Sequence, residues 1–494
     1  MRARLITLLA MTAALGAPSL RAAAAQTPPA AAQVCESCHG PQGQGGGIFP
    51  RIAGQPVGYL KRELEFFRSG ARPNPMMQPV TKDLSDADIA VLSAYFSKLH
   101  PPFEPHTGTL STTEKMRGQQ LVTVGDWQHG VPACTRCHGP DLGGVAPQIP
   151  ALAGQSLLYM ASVLELFQSL NGHPGYFPRI IMSHVSAGLS GIDIQAVTGY
   201  IAQLKPGETP QTERPPLDAA YKFTAQSPDN FTPPPESAIP AGPDGDMIWR
   251  GRLIFENTQR YAHQYVGNAL NCSGCHLDNG RLADSAPMWA AYVTYPKYRS
   301  KNNKVNTLEE RIQGCFRFSM NGKRPAADSM EMTALVDYFH WLAIGLPVGI
   351  TPKGALYPKL PSPRLPVDTK RGAVVYSSNC AMCHGNDGQG REAHGEQVFP
   401  PLWGSKSFNW GAGMERVSTA AAFIKANMPY GAGNTLTDQQ AWDAAAFVVS
   451  HPRPQDPRFT GSVRETREKY HRKDSYYGQV INGQLLGAPQ NSGP

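Results

Sequence analysis

One five-residue pattern recurs four times in this chain of 494 residues: Cys35-Glu-Ser-Cys38-His39, Cys134-Thr-Arg-Cys137-His138, Cys272-Ser-Gly-Cys275-His276 and Cys380-Ala-Met-Cys383-His384. Cys-x-x-Cys-His is the signature of covalent haem attachment. Two thiols at this spacing add to the two vinyl groups, and the adjacent imidazole binds iron from the proximal side. Composition alone would give on the order of 0.005 copies in a chain this long, so four copies are not accidental. A zinc site would want paired Cys-x-x-Cys units. A disulfide framework gives no reason for a histidine after every second cysteine. The expectation is four covalently bound haem c groups, held by Cys35, Cys38, Cys134, Cys137, Cys272, Cys275, Cys380 and Cys383. Their proximal ligands are His39, His138, His276 and His384.

The N-terminus bears on location. Arg2 and Arg4 precede an apolar run from Leu5 to Leu15 and then small residues ending at Ala25. That is the layout of a secretory signal over residues 1–25, too short to span a bilayer. The expected location is the periplasm, with no stable membrane insertion. Removing the three signal arginines lowers the net charge from +7 to +4, and haem propionates lower it further. The basic balance is therefore no argument for nucleic-acid binding, and no nucleic-acid motif appears.

Length and abundant glycine and proline suit several small domains. The reading is mainly α: four class I cytochrome c-like haem domains arranged as two dihaem pairs. The expected boundaries are 26–104, 105–207, a Pro-rich linker at 208–243, 244–352, 353–454 and a tail at 455–494. The tail is polar and turn-rich and reads as extended or partly disordered. The first two units look duplicated. Arg51-Ile-Ala-Gly54-Gln55 matches Ala151-Leu-Ala-Gly154-Gln155, and each is followed by an amphipathic helix and a loop holding methionine. Ser85 with Asp88, and Ser190 with Asp193, are capping-box starts for the closing helices. In the first of these, Ile89, Leu92, Phe96 and Leu99 follow at helical spacing.

An electron-transferring haem needs a sixth ligand, usually methionine. Met77 and Met182 each lie eight residues before their caps, with Met76 and His184 as local rivals. His138 to Met182 is 44 residues, and His384 to Met428 is also 44; Met414 is the rival there. In the third unit His276 to Met320 is again 44, and Met320 lies eight before a cap at Asp328. Yet the ninth cysteine, Cys315, sits five residues before Met320 and has no disulfide partner. It is either a buried inert thiol or a thiolate ligand that would set this haem apart. The residues alone leave Met320 and Cys315 both open.

The second half resembles thiosulfate dehydrogenase, a dihaem periplasmic enzyme. The resemblance is carried by Pro233-Pro-Pro-Glu-Ser-Ala-Ile-Pro240, by Tyr265-Val-Gly-Asn-Ala-Leu-Asn-Cys272 and by Arg311-Ile-Gln-Gly-Cys315-Phe-Arg-Phe-Ser319. It continues through Phe399-Pro-Pro-Leu-Trp-Gly404 and Ala426-Asn-Met428-Pro-Tyr-Gly431. The first half resembles c4-type dihaem cytochromes, so the whole looks like an acceptor fused to an enzyme. The resemblance implies histidine and Cys315 on the third iron and Met428 on the fourth. Some family members carry a lysine where this chain has Asn427, which puts a Lys/Met ligand switch in doubt. It also implies that two thiosulfate ions are joined into tetrathionate, with electrons passed to an external periplasmic acceptor, a small cytochrome or iron-sulfur protein. Residues 299–324 hold seven basic and two acidic side chains, suited to dianions. The resemblance implies Arg311 and Ser319 in the substrate pocket. Arg299, Lys301 and Lys304 of the basic cluster are looser candidates, and Cys315 is the candidate covalent catalyst for S–S bond formation. Tetrathionate reduction by the same machinery, and a non-enzymatic tetrahaem cytochrome, are the other readings.

Overall fold

The computed structural model describes residues 28–106, 108–170, 177–299, 302–471 and 474–489. The signal reading and Lys301 fall outside these residues. The described chain is mainly helical, with strands in four two-stranded antiparallel hairpins. Among the described residues, no single helix is long and apolar enough to cross a membrane.

Each unit has its own apolar core. In the last three units the frame is a pair of crossing helices: Thr112–Thr123 with Gly191–Ile201, Pro243–Glu256 with Met330–Leu342, and Thr369–Asn379 with Asp438–Val449. Glycine makes each crossing possible. A Cβ on Gly118 would lie 2.4 Å from the Ala196 carbonyl oxygen, one on Gly251 2.0 Å from that of Ala334, and one on Gly372 2.1 Å from that of Asp443. The helices therefore touch backbone to backbone, which is the class I cytochrome c frame. In the first unit Ile89, Leu92 and Phe96 are buried on the closing helix Asp86–Ser97, and Leu99 packs against them.

The capping boxes form at Ser85/Asp88 and Ser190/Asp193. The third closing helix begins elsewhere than expected. Its cap is Ser329, not Asp328: Ser329 takes the extended backbone, and its hydroxyl receives the Met332 N–H at 3.3 Å. The methionine loops are also partly helical, since Met77 opens Met77–Thr81 and Met182 lies within Phe177–Ala187.

The duplicated Gln55 and Gln155 join the first two units reciprocally. Gln155 accepts from Arg51 N at 2.7 Å and donates to Arg51 O at 3.1 Å. Gln55 accepts from Ala151 N at 2.9 Å and donates to Ala151 O at 3.0 Å. The proline-rich segment then runs over the third unit, with Gln226 N on Gly345 O and Arg214 on Asp246 at 2.8 Å.

The tail is folded where it is described, against the expectation of an extended segment. Helix Val463–Tyr470 and a hairpin bury Tyr477 and Leu486 around Trp410. Its order is polar: His471 is buried between Asp456 and Glu415. Composition counts such residues as solvated, and the fold pairs them instead.

Candidate active site and haem sites

All four motif histidines make the same bond. Nδ1 of His39, His138, His276 and His384 pairs with the backbone carbonyls of Pro50, Pro150, Ala286 and Pro400 at 2.8, 2.8, 2.7 and 2.9 Å. This fixes each ring and leaves Nε2 for a metal. Burial lowers all four pKa values, that of His276 to about 4, which keeps the imidazoles in the neutral, ligating form. Three motifs end in the left-handed Gly40, Gly139 and Gly385. The third continues instead into Leu277, Asp278 and Asn279, the last two at φ 49° and 50°. This departure can be read in the sequence as His-Leu where the others have His-Gly.

The third unit differs again opposite its histidine. Helix Leu308–Gly314 starts from a capping box of Thr307 with Glu310 and passes into a π-helix, Cys315–Ser319. Such wide turns are frequent at functional sites. Arg311 donates from Nη1 to Cys315 Sγ at 2.9 Å. Electrostatic interaction with Cys315, acting against burial, raises the Arg311 pKa, so the guanidinium stays charged. A cavity of about 800 Å³ holds these groups together, lined by Cys272, Cys275, His276, Arg311, Cys315 and Ser319. Arg299 also lines it, from the strand Lys297–Arg299, as does Met320, which is buried. Lys304 does not line it and is paired with Glu310. The same wall includes Lys297, Tyr357 and Lys359, which sequence reasoning missed. Lys297 lies two residues outside the counted basic cluster, and Lys359 arrives from the join between the third and fourth units.

The tail holds this segment from behind. Arg317 donates to Pro457 O at 3.1 Å, Arg458 lies 4.9 Å over the Phe318 ring, and Asn409 donates to Arg317 O at 3.0 Å. Arg458 in turn pairs with Asp456, which meets His471 Nε2 at 2.9 Å.

Elsewhere the distal candidates are methionines. His384, Cys380, Cys383 and Met428 line one cavity, which Met414 also reaches. Asn427 is buried and donates to Asp284 O and Phe423 O, so it is committed to the backbone. Met77 is half-buried while Met76 is 53% exposed. His184 Nδ1 is bonded to Ile180 O at 2.8 Å.

Residues 258–348 match the family described as SoxA/TsdA, cytochrome c domain. Residues 28–100 match cytochrome c, and 367–448 match cytochrome C oxidase, cbb3-type, subunit III. The second half is 55% identical over 260 residues to the thiosulfate dehydrogenase of Stutzerimonas stutzeri (strain A1501), covering 52% of this chain and 85% of that protein. The chain belongs to the thiosulfate dehydrogenase family. The match extends over both halves in one family member. The thiosulfate dehydrogenase (TsdBA) of Marichromatium purpuratum superposes with TM-score 0.80 at 41% identity, over 92% of this chain and 95% of that one. The first half is 36% identical over 183 residues to a thiosulfate dehydrogenase electron acceptor of Stutzerimonas stutzeri, covering 37% of this chain and 83% of that protein.

Family membership implies covalently bound haem c, and the residues present fit it. Each motif places two free thiols beside an imidazole whose Nδ1 is already committed. The clefts beside the third and fourth motifs are mostly apolar. Buried Arg453 keeps Nε and Nη1 without a partner, as does Arg391 at Nε, a donor set suited to propionates.

Proposed function

We propose that this chain oxidises two thiosulfate ions to tetrathionate in the periplasm, at Cys315, with the N-terminal half as its electron acceptor. The observation that carries the reading is the Arg311 to Cys315 hydrogen bond inside the cavity lined by His276. Four haems are proposed, on the four motifs. Each haem would be held by its motif cysteines and histidine together with one further side chain: His39 with Met77, His138 with Met182, His276 with Cys315, and His384 with Met428. Bound there, the haems supply one-electron redox centres that accept the two electrons of the reaction.

The protein groups do the rest. Two dianions about 5 Å apart repel by about 3 kcal/mol even at the dielectric constant of water. Arg311, Arg299, Lys297 and Lys359 bring positive charge to the cavity wall and offset that repulsion, and Ser319 offers a hydroxyl to a sulfonate oxygen. Cys315 Sγ forms an S–S bond with the sulfane sulfur of the first thiosulfate, and two electrons leave the site. The sulfane sulfur of the second thiosulfate then attacks the bound one. That step breaks the bond to Cys315, releases tetrathionate and restores the thiolate. Arg311 stabilises the thiolate as leaving group at the atom where charge returns.

Among the described residues, the second unit of the acceptor half meets the enzyme half. Cys137 and Cys383 share one apolar cluster with Val145, Ile149 and Phe399, and Trp127 packs edge-on to Tyr430 at 5.3 Å. After release of tetrathionate, an external cytochrome or iron-sulfur protein would take electrons from this half.

Replacing Cys315 with Ala tests the reading. Thiosulfate turnover with ferricyanide should fall by about 10³-fold or more, while the haem content stays at four per chain by pyridine haemochrome absorbance. Turnover that survives the substitution removes Cys315 from the chemistry. Tetrathionate identified as the product separates this reaction from other sulfur oxidations.

A further inference from the structure

Arg136 is the third residue of the second attachment motif, and its side chain leaves its own domain. Nη2 donates to Glu256 Oε1 at 3.0 Å and to Asn279 Oδ1 at 3.2 Å, and Nη1 lies 3.5 Å from Ser273 Oγ. All three acceptors belong to the third unit, and Ser273 lies inside its attachment motif. One guanidinium thus connects the second and third motifs.

Glu256 belongs to a buried ion network. The Arg252 side chain is fully buried; it donates from Nε to Glu236 Oε1 at 3.0 Å and from Nη1 to Glu256. Within the enzyme half these bonded groups are two carboxylates and one guanidinium, and the adjoining Asp278–Arg281 pair at 3.7 Å adds one charge of each sign, so the formal sum is minus one. Arg136 brings it to zero. Burial pushes the Glu256 carboxyl up, and Arg252 and Arg136 more than reverse this, so it stays ionised below its ordinary value. Removing one member of a buried ion pair leaves an uncompensated charge and is strongly unfavourable. The enzyme half therefore presents a face that calls for a cation, and the three acceptors around it suit a planar fork better than a point charge.

We propose that Arg136 is the positioning residue that seats the acceptor half on the catalytic half, by neutralising a buried carboxylate pair that the catalytic half cannot balance alone. This goes beyond the electron-acceptor reading of the N-terminal half but rests on it.

The test uses the haem-loaded full chain, with R136Q, E256Q and the double variant R136Q/E256Q. Hydrogen exchange is followed in residues 253–258, 272–280 and 134–138, and stopped-flow absorbance follows reduction of the N-terminal haems by thiosulfate. Each single variant should raise exchange in these segments, and slow that reduction, by about tenfold or more. The double variant leaves Glu236 and Arg252 balanced and should recover part of both effects, as a coupled pair does. Unchanged exchange in 112–123 confirms that the second unit is folded; where R136Q loses that protection, E256Q alone is compared with the double variant. Wild-type exchange in both single variants overturns the proposal, and so does a double variant worse than either single one. If thiosulfate reduces only the C-terminal haems of the wild type, the acceptor reading fails, and the exchange data still decide the role of Arg136.

Discussion

The two halves of the chain are each built from a pair of units, and they treat the symmetry of that pair in opposite ways. In the N-terminal half, Gln55 and Gln155 make the same two bonds in each direction, and both units follow their motif with glycine. In the C-terminal half the fourth unit keeps that pattern and the third abandons it. Its motif runs into Asp278 and Asn279 at positive φ, and a π-helix places a cysteine under an arginine. A second haem unit can keep the common frame and relay electrons. Its neighbour is then free to be rebuilt for sulfur chemistry. Symmetry survives where the two units do the same job.

Three experiments sharpen that contrast. The largest effect belongs to the asymmetric half. Arg311→Gln removes the charged hydrogen bond on Cys315 and one cation from the cavity wall, and kcat/KM for thiosulfate should fall about a hundredfold. Steady-state kinetics with ferricyanide measure this, and a loss below threefold would show that Arg311 only packs. Next comes the symmetric half. Gln155→Leu strands the buried Arg51 N–H and C=O groups and should cost about 2–4 kcal/mol locally, and Gln55→Leu should cost a similar amount. Hydrogen exchange in residues 50–60 and 150–160 reads both, and a strongly unequal pair of losses would break the equivalence argued here.

The smallest effect concerns the tail. Burial alone would lower the His471 pKa, but Asp456 and Glu415 reverse this and hold it above its ordinary value. Its stabilisation is complete below the unfolded value of about 6.5 and is lost as pH rises through the folded value. Asp456 is opposite in sign. Burial would raise it, yet His471 and Arg458 hold it well below the carboxylate range. Its stabilisation is full above about pH 4 and fades as pH falls through the lowered value. The tail should be best protected from exchange between these limits. His471→Gln should remove the alkaline loss and leave the acid loss; an unchanged alkaline slope, after correction for intrinsic exchange, would exclude His471 as its source.

The sequence revealed local chemistry far better than contacts between distant segments. Attachment motifs, capping boxes and the helical face of Ile89, Leu92 and Phe96 are short-range patterns, and the structure contains them. The pairing of Arg311 with Cys315 spans four residues, and there the family resemblance supplied what spacing left open, because the count of 44 names Met320. The π-helix has no propensity signature, since it is one extra residue accommodated in a turn by its surroundings. Gln55 and Gln155 were visible as repeats, but not as side chains that each bond the backbone of the other unit. Arg136 looked like a variable position inside a motif, because Glu256 lies 120 residues away. The tail misled because paired buried charges and solvated ones have the same composition.

The linker over residues 208–243 carries a kinetic consequence. Because it is strapped onto the third unit through Arg214 and Gln226, an N-terminal half that serves as acceptor, as proposed, never has to be found by diffusion. A short tether holds a partner at an effective concentration in the millimolar range, so the first hand-over of electrons becomes a first-order event, the same in dilute and in crowded solution. On that reading only a last transfer, to a separate protein, remains a collision. Dependence on ionic strength and on protein concentration should therefore be confined to that final step.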